Sequence, residues 1–425
     1  MVTPGGLVTN PTIYNNVINY LIAEYGSLSE QQRKFNYVQQ AAARLIRNLA
    51  AYPTNKNYVA DRNAFTFSHD AFLNSSTSFS GEDELLFRVR SNNTYSFAAR
   101  MANPAASLAY DGAVIDWPNG DTPFVFLDRL SYRFLLNKNI RISLGARVAQ
   151  DSILPSRGSF YKQSALLEFF NTAAGVIPSF TGTGAGLDIS PFDLDFLALK
   201  NLRFGIAYLV NEADAVSPDA NNIMAQGLFG SSTRFRVPLQ LAWQSSNQKW
   251  LFSANYAYER GNNSMGSVGT SLALTPFMYP SLNESSQFGF TLAHQLTNNL
   301  SINAAYGRGL VRARYSSSVL GVKMTSTGDQ AEMSSWLLAA HFNNVFVKGN
   351  SAGIAISAVP ALIRNSSSWS TDGASPIAVE TWYQYQISDN ISITPGVFYI
   401  SGVANSDGIG AGSSCGGVIK TQFNF

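Results

Sequence analysis

The chain has 425 residues, of which only 13% are charged and 12% aromatic, and its formal net charge is +2. A soluble enzyme of this length carries nearer a quarter charged residues, and so small a net charge gives no argument for a nucleic-acid partner. A single cysteine, Cys415, in the glycine-rich "GAGSSCGG", excludes an internal disulfide and a multi-thiolate metal site.

"MVTPGGLVTN" opens the sequence without the basic start and apolar core of a secretory signal, so an exported form is expected to have lost its signal upstream. No apolar run approaches the roughly 18 residues that a membrane helix needs. "AGIAISAVPALI" at 352–363 is short and broken by Pro360. Residues 1–60 read as a helical segment distinct from the rest. A short helix is predicted over 13–26, stopped by Gly26. A longer one is predicted over 29–52, where Ser29 and Gln32 form a capping-box pattern. Its apolar residues Phe35, Val38, Ala42, Leu45, Ile46 and Leu49 recur at helical spacing before Pro53.

From about residue 64 the chain turns to strand, tight polar turn, strand. "AFTFSHDAFLNSSTSFS" (64–80) reads as an opening strand. Hairpins are predicted at 85–101, 130–148, 196–210, 234–258, 288–307, 336–359 and 381–400, with Asn, Asp, Lys and Gly in their turns. Longer loops rich in Gly, Ser, Asn and Pro separate them. Seven hairpins, the opening strand and the terminal "VIKTQFNF" bring the count to about sixteen, an even number as single-chain bacterial barrels require.

The faces alternate as strands do. Ile140, Ile142, Leu144, Ala146 and Val148 oppose Arg141, Ser143, Gly145 and Arg147. Leu202, Phe204, Ile206, Tyr208 and Val210 oppose Arg203 and Gly205, and Leu85, Phe87 and Val89 oppose Arg88 and Arg90. A soluble sandwich would alternate in the same way with its apolar face inward. The regular exchange of short and long connections, the aromatics at strand ends and the strand at the chain's end favour an all-β membrane protein, an antiparallel transmembrane barrel over 61–425. Asp128 breaks the phasing. It falls on the lipid side between Phe126 and Leu130, so a bulge or a buried subunit contact is expected there.

"TSFSGEDELLFRVRSN" (77–92), "FVFLDRLSYRFLLNKNIRISLGA" (124–146) and above all "YQYQISDNISITPGVFYI" (383–400) followed by "GGVIKTQFNF" resemble the cyanobacterial outer-membrane porins. These are often called iron-uptake porins and are grouped with the carbohydrate-selective porin superfamily. The resemblance implies a barrel of about sixteen strands, an outer-membrane location among lipid and lipopolysaccharide, and a homotrimer. It also implies an N-terminal surface-layer-homology domain that binds peptidoglycan or its attached polymer, followed by a helical spacer. No complete domain of that kind stands in 1–60; "INYLIAEYG" (18–26) faintly resembles the start of one. The terminal aromatic strand resembles the signal read by the outer-membrane assembly machinery, and it is expected to pair with the first strand to close the barrel.

On the predicted luminal phase lie Arg88, Arg90, Arg100, Arg129, Arg133, Arg141, Arg147 and Arg203, with Arg234 and Arg236 on the next hairpin. A ladder of guanidinium groups would favour anions; pairing with Asp or Glu from loops would cancel it. The long segment 149–182, counted as the third long loop, is the expected constriction, with Asp151, Arg157, Lys162 and Glu168 as its charged residues. A lid outside the pore is the alternative. Enzymatic signals are weak: no HExxH or phosphate-cradling loop occurs, "GTGAG" at 182–186 precedes a strand, no convincing Ser–His pair stands on one face, and strand phase places His294 at the lipid interface. The sequence reading is a porin that passes small hydrophilic solutes and inorganic ions, with no cofactor, metal or catalysis. A sugar-selective channel and a poorly conducting envelope tether are the alternatives.

Overall fold

Period-two alternation becomes a wall when every strand hydrogen-bonds to its neighbours, since unpaired backbone polar groups are costly in lipid. A computed structural model describes residues 67–92, 125–154, 159–161, 166–167, 170, 180–194, 199–218, 226–261, 269–274, 276–277, 283–319, 322–368, 371–372, 375–401 and 414–424. The expected helical segment 1–60 lies outside the described residues, as do Arg100, Arg157, Lys162 and Glu168.

The strands are β1 (Asp70–Thr77), β2 (Glu84–Asn92), β3 (Phe126–Asn137), β4 (Ile140–Ala149), β5 (Thr181–Leu194), β6 (Leu199–Val210), β7 (Phe235–Gln244) and β8 (Trp250–Arg260). They continue as β9 (Glu284–Gln295), β10 (Leu300–Arg312), β11 (Ser317–Val319), β12 (Val322–Thr325), β13 (Gln330–Asn343) and β14 (Ser351–Asn365). β15 (Ile377–Ser388), β16 (Ile391–Ile400) and β17 (Ser414–Phe423) complete the wall. Among the described residues three one-turn helices, α1 (Gln150–Ile153), α2 (Glu212–Ala215) and α3 (Ser271–Leu274), sit in long connections. Among the described residues fifteen strands form one antiparallel sheet, each bonded to the next, while β11 and β12 pair separately.

Short and long connections alternate as the sequence implies, with one correction. The first short turn is 78–83, between β1 and β2, and not the expected one at 91–93. β2 runs on to Asn92 and its other neighbour is β3. The expected strand at 94–101 lies outside the described residues. Fifteen strands of the sheet are described, in keeping with a barrel of about sixteen, and among the described residues 149–182 holds the second long connection, not the third. With an odd count β1 and β17 run the same way, and the expected pairing of last strand with first is not among the described pairings.

Turn chemistry explains why these segments reverse. Asn137 Oδ1 accepts from Asn139 N and Ile140 N, both at 2.9 Å, closing the turn between β3 and β4. Asp83 Oδ1 accepts from Ser78 Oγ at 2.6 Å and from Ser80 N at 2.7 Å, and these bonds hold its carboxyl well below the usual carboxylate range. "GTGAG" lies within β5, not ahead of it.

The wet face is the inner one. On β9 Phe288, Phe290 and Leu292 point outward, Phe290 being 48% exposed, while Ser285, Gln287 and Thr291 on the opposite phase are buried, Thr291 at 4%. A soluble sandwich would bury the Phe residues; a barrel in lipid shows this inversion. β10 repeats it with Ile302, Tyr306 and Leu310 outside, and on β17 Ile419 and Phe423 are exposed. Aromatics gather at both strand ends. Trp250, Phe342, Tyr385 and Phe423 lie near the short turns. Near the long loops Tyr208, Phe235 and Tyr258 form a chain with ring centroids 5.2 and 5.9 Å apart. His294, on the outward phase, stacks on Trp250 at 3.8 Å.

Several register shifts depart from strict alternation, and two of them re-aim side chains near the site. Arg88 faces Arg129 and Val89 faces Leu127, so Asp128 is an extra residue that turns inward and is buried. Further register shifts occur near Gly145–Val148. In consequence Val148 leaves the expected outer row and packs in a buried cluster with Ile153, Ala207 and Leu209.

Candidate pore lining and loop anchor

Seven carboxylates meet the arginines that the alternation places on β2–β7. Arg88 reaches Asp128 at 3.4 Å and Asn74 at 2.6 Å. Arg90 reaches Asp70 at 2.5 Å and Asp128 at 3.7 Å, and Arg129 lies 3.6 Å from Asp128. Arg133 is bonded to Glu84. Arg203 and Arg141 share Asp188 at 3.4 and 4.0 Å. Arg147 reaches Glu212 at 2.6 Å, Arg234 reaches Asp214 at 2.5 Å, and Arg236 lies 3.6 Å from Glu259. The cancelling partners come mainly from neighbouring strands rather than from loops: cross-strand neighbours stand close enough for direct pairing. Only Glu212 and Asp214, on α2, are loop residues. Hydrogen bonding to Asp214 raises the Arg234 guanidinium further above its ordinary value.

These pairs differ in exposure. The side chains of Arg133, Arg141 and Arg203 keep 38%, 43% and 38% of their surface open, whereas Arg236 keeps 1%. Beyond β6 the inner wall is covered. Arg236 Nη2 donates to Gln287 Oε1 at 2.9 Å, Gln240 Nε2 to Asn255 Oδ1 at 2.6 Å, and Ser253 and Thr291 hydroxyls meet at 2.6 Å, all buried.

The described parts of the connection between β4 and β5 cross to the opposite wall. Tyr161, Leu166, Leu167 and Phe170 are buried against Leu337, Ala339, Ala355, Val359, Trp382, Phe398 and Ile400 of β13–β16. One carboxylate organises the contact. Glu380 Oε1 accepts from Tyr161 Oη at 2.8 Å, and its Oε2 accepts from Leu166 N at 3.0 Å and Leu167 N at 2.9 Å. Trp382 Nε1 donates to Tyr161 Oη at 2.9 Å, and Asn303 Oδ1 accepts from Phe160 N at 2.7 Å. The wall is notched to receive the loop. A Cβ on Gly353 would lie 2.4 Å from the Trp382 ring and 2.7 Å from that of Tyr161, and one on Gly396 would lie 2.4 Å from Leu166 Cδ1. Asp151, at the start of the loop on α1, attracts Arg129.

A second connection covers the next stretch of wall. Ala273 and Phe277 pack on Ala257, Val311, Ala331, Met333 and Leu362, joined by Met324 of β12. Asp372 clasps it: Oδ2 accepts from Thr270 Oγ1 at 2.5 Å and from Leu362 N at 2.7 Å. Burial pushes this carboxyl up to about 6.

Comparison with known proteins agrees with this geometry. The carbohydrate-selective porin, OprB family, matches residues 119–425, well over half of the chain. The chain belongs to that family. Its barrel is similar to the high-pH structure of OprB from Pseudomonas putida, with a TM-score of 0.56 at 12% identity over 84% of this chain and 88% of that one. Uncharacterized proteins of Nostoc and Synechocystis are 26% and 25% identical over 86% and 84% of this chain. The chain spans only 62% and 64% of those two relatives' own lengths. Family and fold place this OprB-family porin in the bacterial outer membrane.

In this porin the functional candidates that sequence reasoning missed are Glu380, Gly353, Gly396 and Asn303. The signal was present. Glu380 sits on the inward phase between Ala378 and Trp382, an acid among apolar neighbours. What the sequence lacks is the identity of its partners, which lie more than two hundred residues away, as the separations of 213 to 219 show.

Proposed function

We propose that the chain forms a water-filled passage for passive diffusion of small hydrophilic solutes and inorganic ions, running along the inner face of β1–β6. The observation that carries this is the asymmetry of the inner wall. Charged side chains stay open on one side, while the other is covered by a loop fixed on Glu380. The connection within 149–182 acts as the constriction, and Asp151 belongs to it. Whether Arg157, Lys162 and Glu168 join it is a further proposal.

The paired wall revises the arginine ladder. Nine of the ten candidate arginines meet seven carboxylates, Asp70, Glu84, Asp128, Asp188, Glu212, Asp214 and Glu259. The small remaining surplus gives a weak anion preference rather than a strong one. Alternating guanidinium donors and carboxylate acceptors also suit the hydroxyls of a sugar, which both donate and accept. That second reading is favoured by the family's description. It lacks an exposed aromatic ladder on the inner wall: among the described residues the largest outward group of aromatics faces lipid. A homotrimer in outer-membrane lipid, with wall-polymer contact through 1–60, belongs to the same proposal.

Single-channel recording in a planar bilayer across a salt gradient tests it. Open steps with a small reversal potential toward chloride are expected. Absence of steps from correctly folded protein would support the tether reading instead.

A further inference from the structure

The outward face carries a second charged cluster that the passage does not use. On β10 the even-numbered residues share the outer phase with Ile302 and Tyr306, and at the long-loop end that row ends in Arg308, Leu310 and Arg312. Neighbouring strands change at the same level. β8 passes from Phe252 through Tyr256 and Tyr258 to Arg260, and β9 from Phe290 and Phe288 to Ser286 and Glu284. β13 passes from Leu338 and Trp336 to Ser334 and Glu332, and β14 ends in Ile363 and Arg364. The apolar band thus stops along one line, and a charged zone begins above it. A cavity of about 700 Å³ opens there, bordered by Tyr258, Glu284, Arg312, Glu332 and Arg364.

The charge balance of the zone is positive. Its arginines are Arg260, Arg308, Arg312, Arg314 and Arg364, and its acids are Glu284, Glu332 and, at the loop edge, Asp329. Arg308 meets Glu332 at 2.6 Å, Arg314 meets Glu284 at 3.4 Å, and Arg364 lies 3.9 Å from Glu332 with four-fifths of its side chain open. Asp329 is occupied by Ser326 N at 2.7 Å. The acids hold Arg308 and Arg314 in place, while Arg312 and Arg364 remain the open cations at the cavity's edge.

We propose that this face holds the phosphorylated sugar headgroup of an outer-leaflet glycolipid of the lipopolysaccharide class. The inference rests on the outer-membrane placement and not on conduction. An outward guanidinium within hydrocarbon is costly, falling toward nothing at the interface, so these arginines mark headgroup level. At that level they meet anionic groups, which guanidinium binds in a bidentate fork. The apolar row beneath, Tyr306, Phe288 and Trp336, supplies the surface for acyl chains. The tyrosines at the boundary place rings against the saccharide.

The test is native mass spectrometry of the full chain in detergent, titrated with diphosphorylated lipid A, dephosphorylated lipid A or inorganic phosphate. The triple variant Arg308→Gln, Arg312→Gln, Arg364→Gln is run beside the parent. Arg312→Gln with Arg364→Gln is the second variant, since it spares the Arg308–Glu332 pair and with it the fold. Expected is retention of diphosphorylated lipid A by the parent, weakened about tenfold or more in both variants, with unchanged channel conductance. Equal binding of the dephosphorylated lipid, or parent-like affinity in the variants, overturns the proposal. So does displacement by millimolar inorganic phosphate, which would make this a free-anion site. A change of oligomeric state in the variants would make it a subunit contact and would equally overturn it. Conductance is the separate readout of the passage, so loss of lipid with intact conductance leaves the porin reading standing.

Discussion

The inner faces of β1–β6 and of β7–β16 are built from the same alternating strands, yet they do opposite things. The first presents arginines and carboxylates with a third or more of many side chains open. The second buries its inward residues under two connections, so that even Arg236 and Gln287 have lost contact with water. The difference lies in what each wall offers a loop. β13–β16 supply glycine notches, an indole and a buried acceptor, which together repay the entropy of fixing a long segment. β1–β6 offer charges already satisfied by their strand neighbours, and these gain little from a covering loop.

The largest expected effect comes from removing the acceptor. Glu380→Ala leaves Tyr161 Oη and the amides of Leu166 and Leu167 without their partner. Loop docking should weaken by about 3–5 kcal/mol, and single-channel conductance should rise toward that of an unconstricted barrel. Parent-like conductance with a normal melting temperature would show that the loop stays docked without Glu380, and the comparison would collapse.

A smaller effect concerns the second covering connection. The Asp372 carboxyl has a folded pKa of about 6, raised by burial above an ordinary 3.8. A raised folded pKa means that the protonated form is favoured in the native state. The contribution is therefore complete below about pH 4 and is lost as pH rises through about 6. It is worth on the order of 2 kcal/mol. Melting temperature should show a component falling between pH 4 and 6 that Asp372→Asn abolishes; an identical pH profile in the variant would contradict the clasp.

Gly353→Val fills the notch that receives Tyr161 and Trp382. Overpacking of this kind costs about 1–3 kcal/mol, so the melting temperature should drop and the loop become susceptible to protease. Tyr161→Phe sharpens the comparison most finely. It removes one hydroxyl shared by Glu380 and Trp382, at a cost of about 1 kcal/mol. Limited proteolysis of the loop should speed up only slightly.

Much of the wall could be read from sequence. The inward and outward rows of β9, β10 and β17 follow from period two alone, and polar residues such as Asn137 and Asn139 mark a turn. Bulges could not be read, because one extra residue changes facing without changing composition. Asp128 hinted at its bulge by sitting out of phase, whereas Val148 gave no hint since it is apolar on either face. The first hairpin was misplaced because Ser91 and Asn92 look like a turn, while β2 in fact runs through them. Charge compensation was expected from loops, and its origin in neighbouring strands could not be read for another reason. Asp128, Asp188 and Glu259 meet their arginines through strand register, and register depends on the turns and bulges taken together.

Thiol accessibility distinguishes the open wall from the covered one. In a Cys415→Ser background, which removes the exposed native thiol, Arg141→Cys and Gln287→Cys would be treated with a bulky thiol reagent during single-channel recording. Modification at 141 is expected to cut the conductance, while 287 neither reacts nor blocks. Block at 287 with none at 141 would place the passage along the covered wall and contradict its assignment to β1–β6.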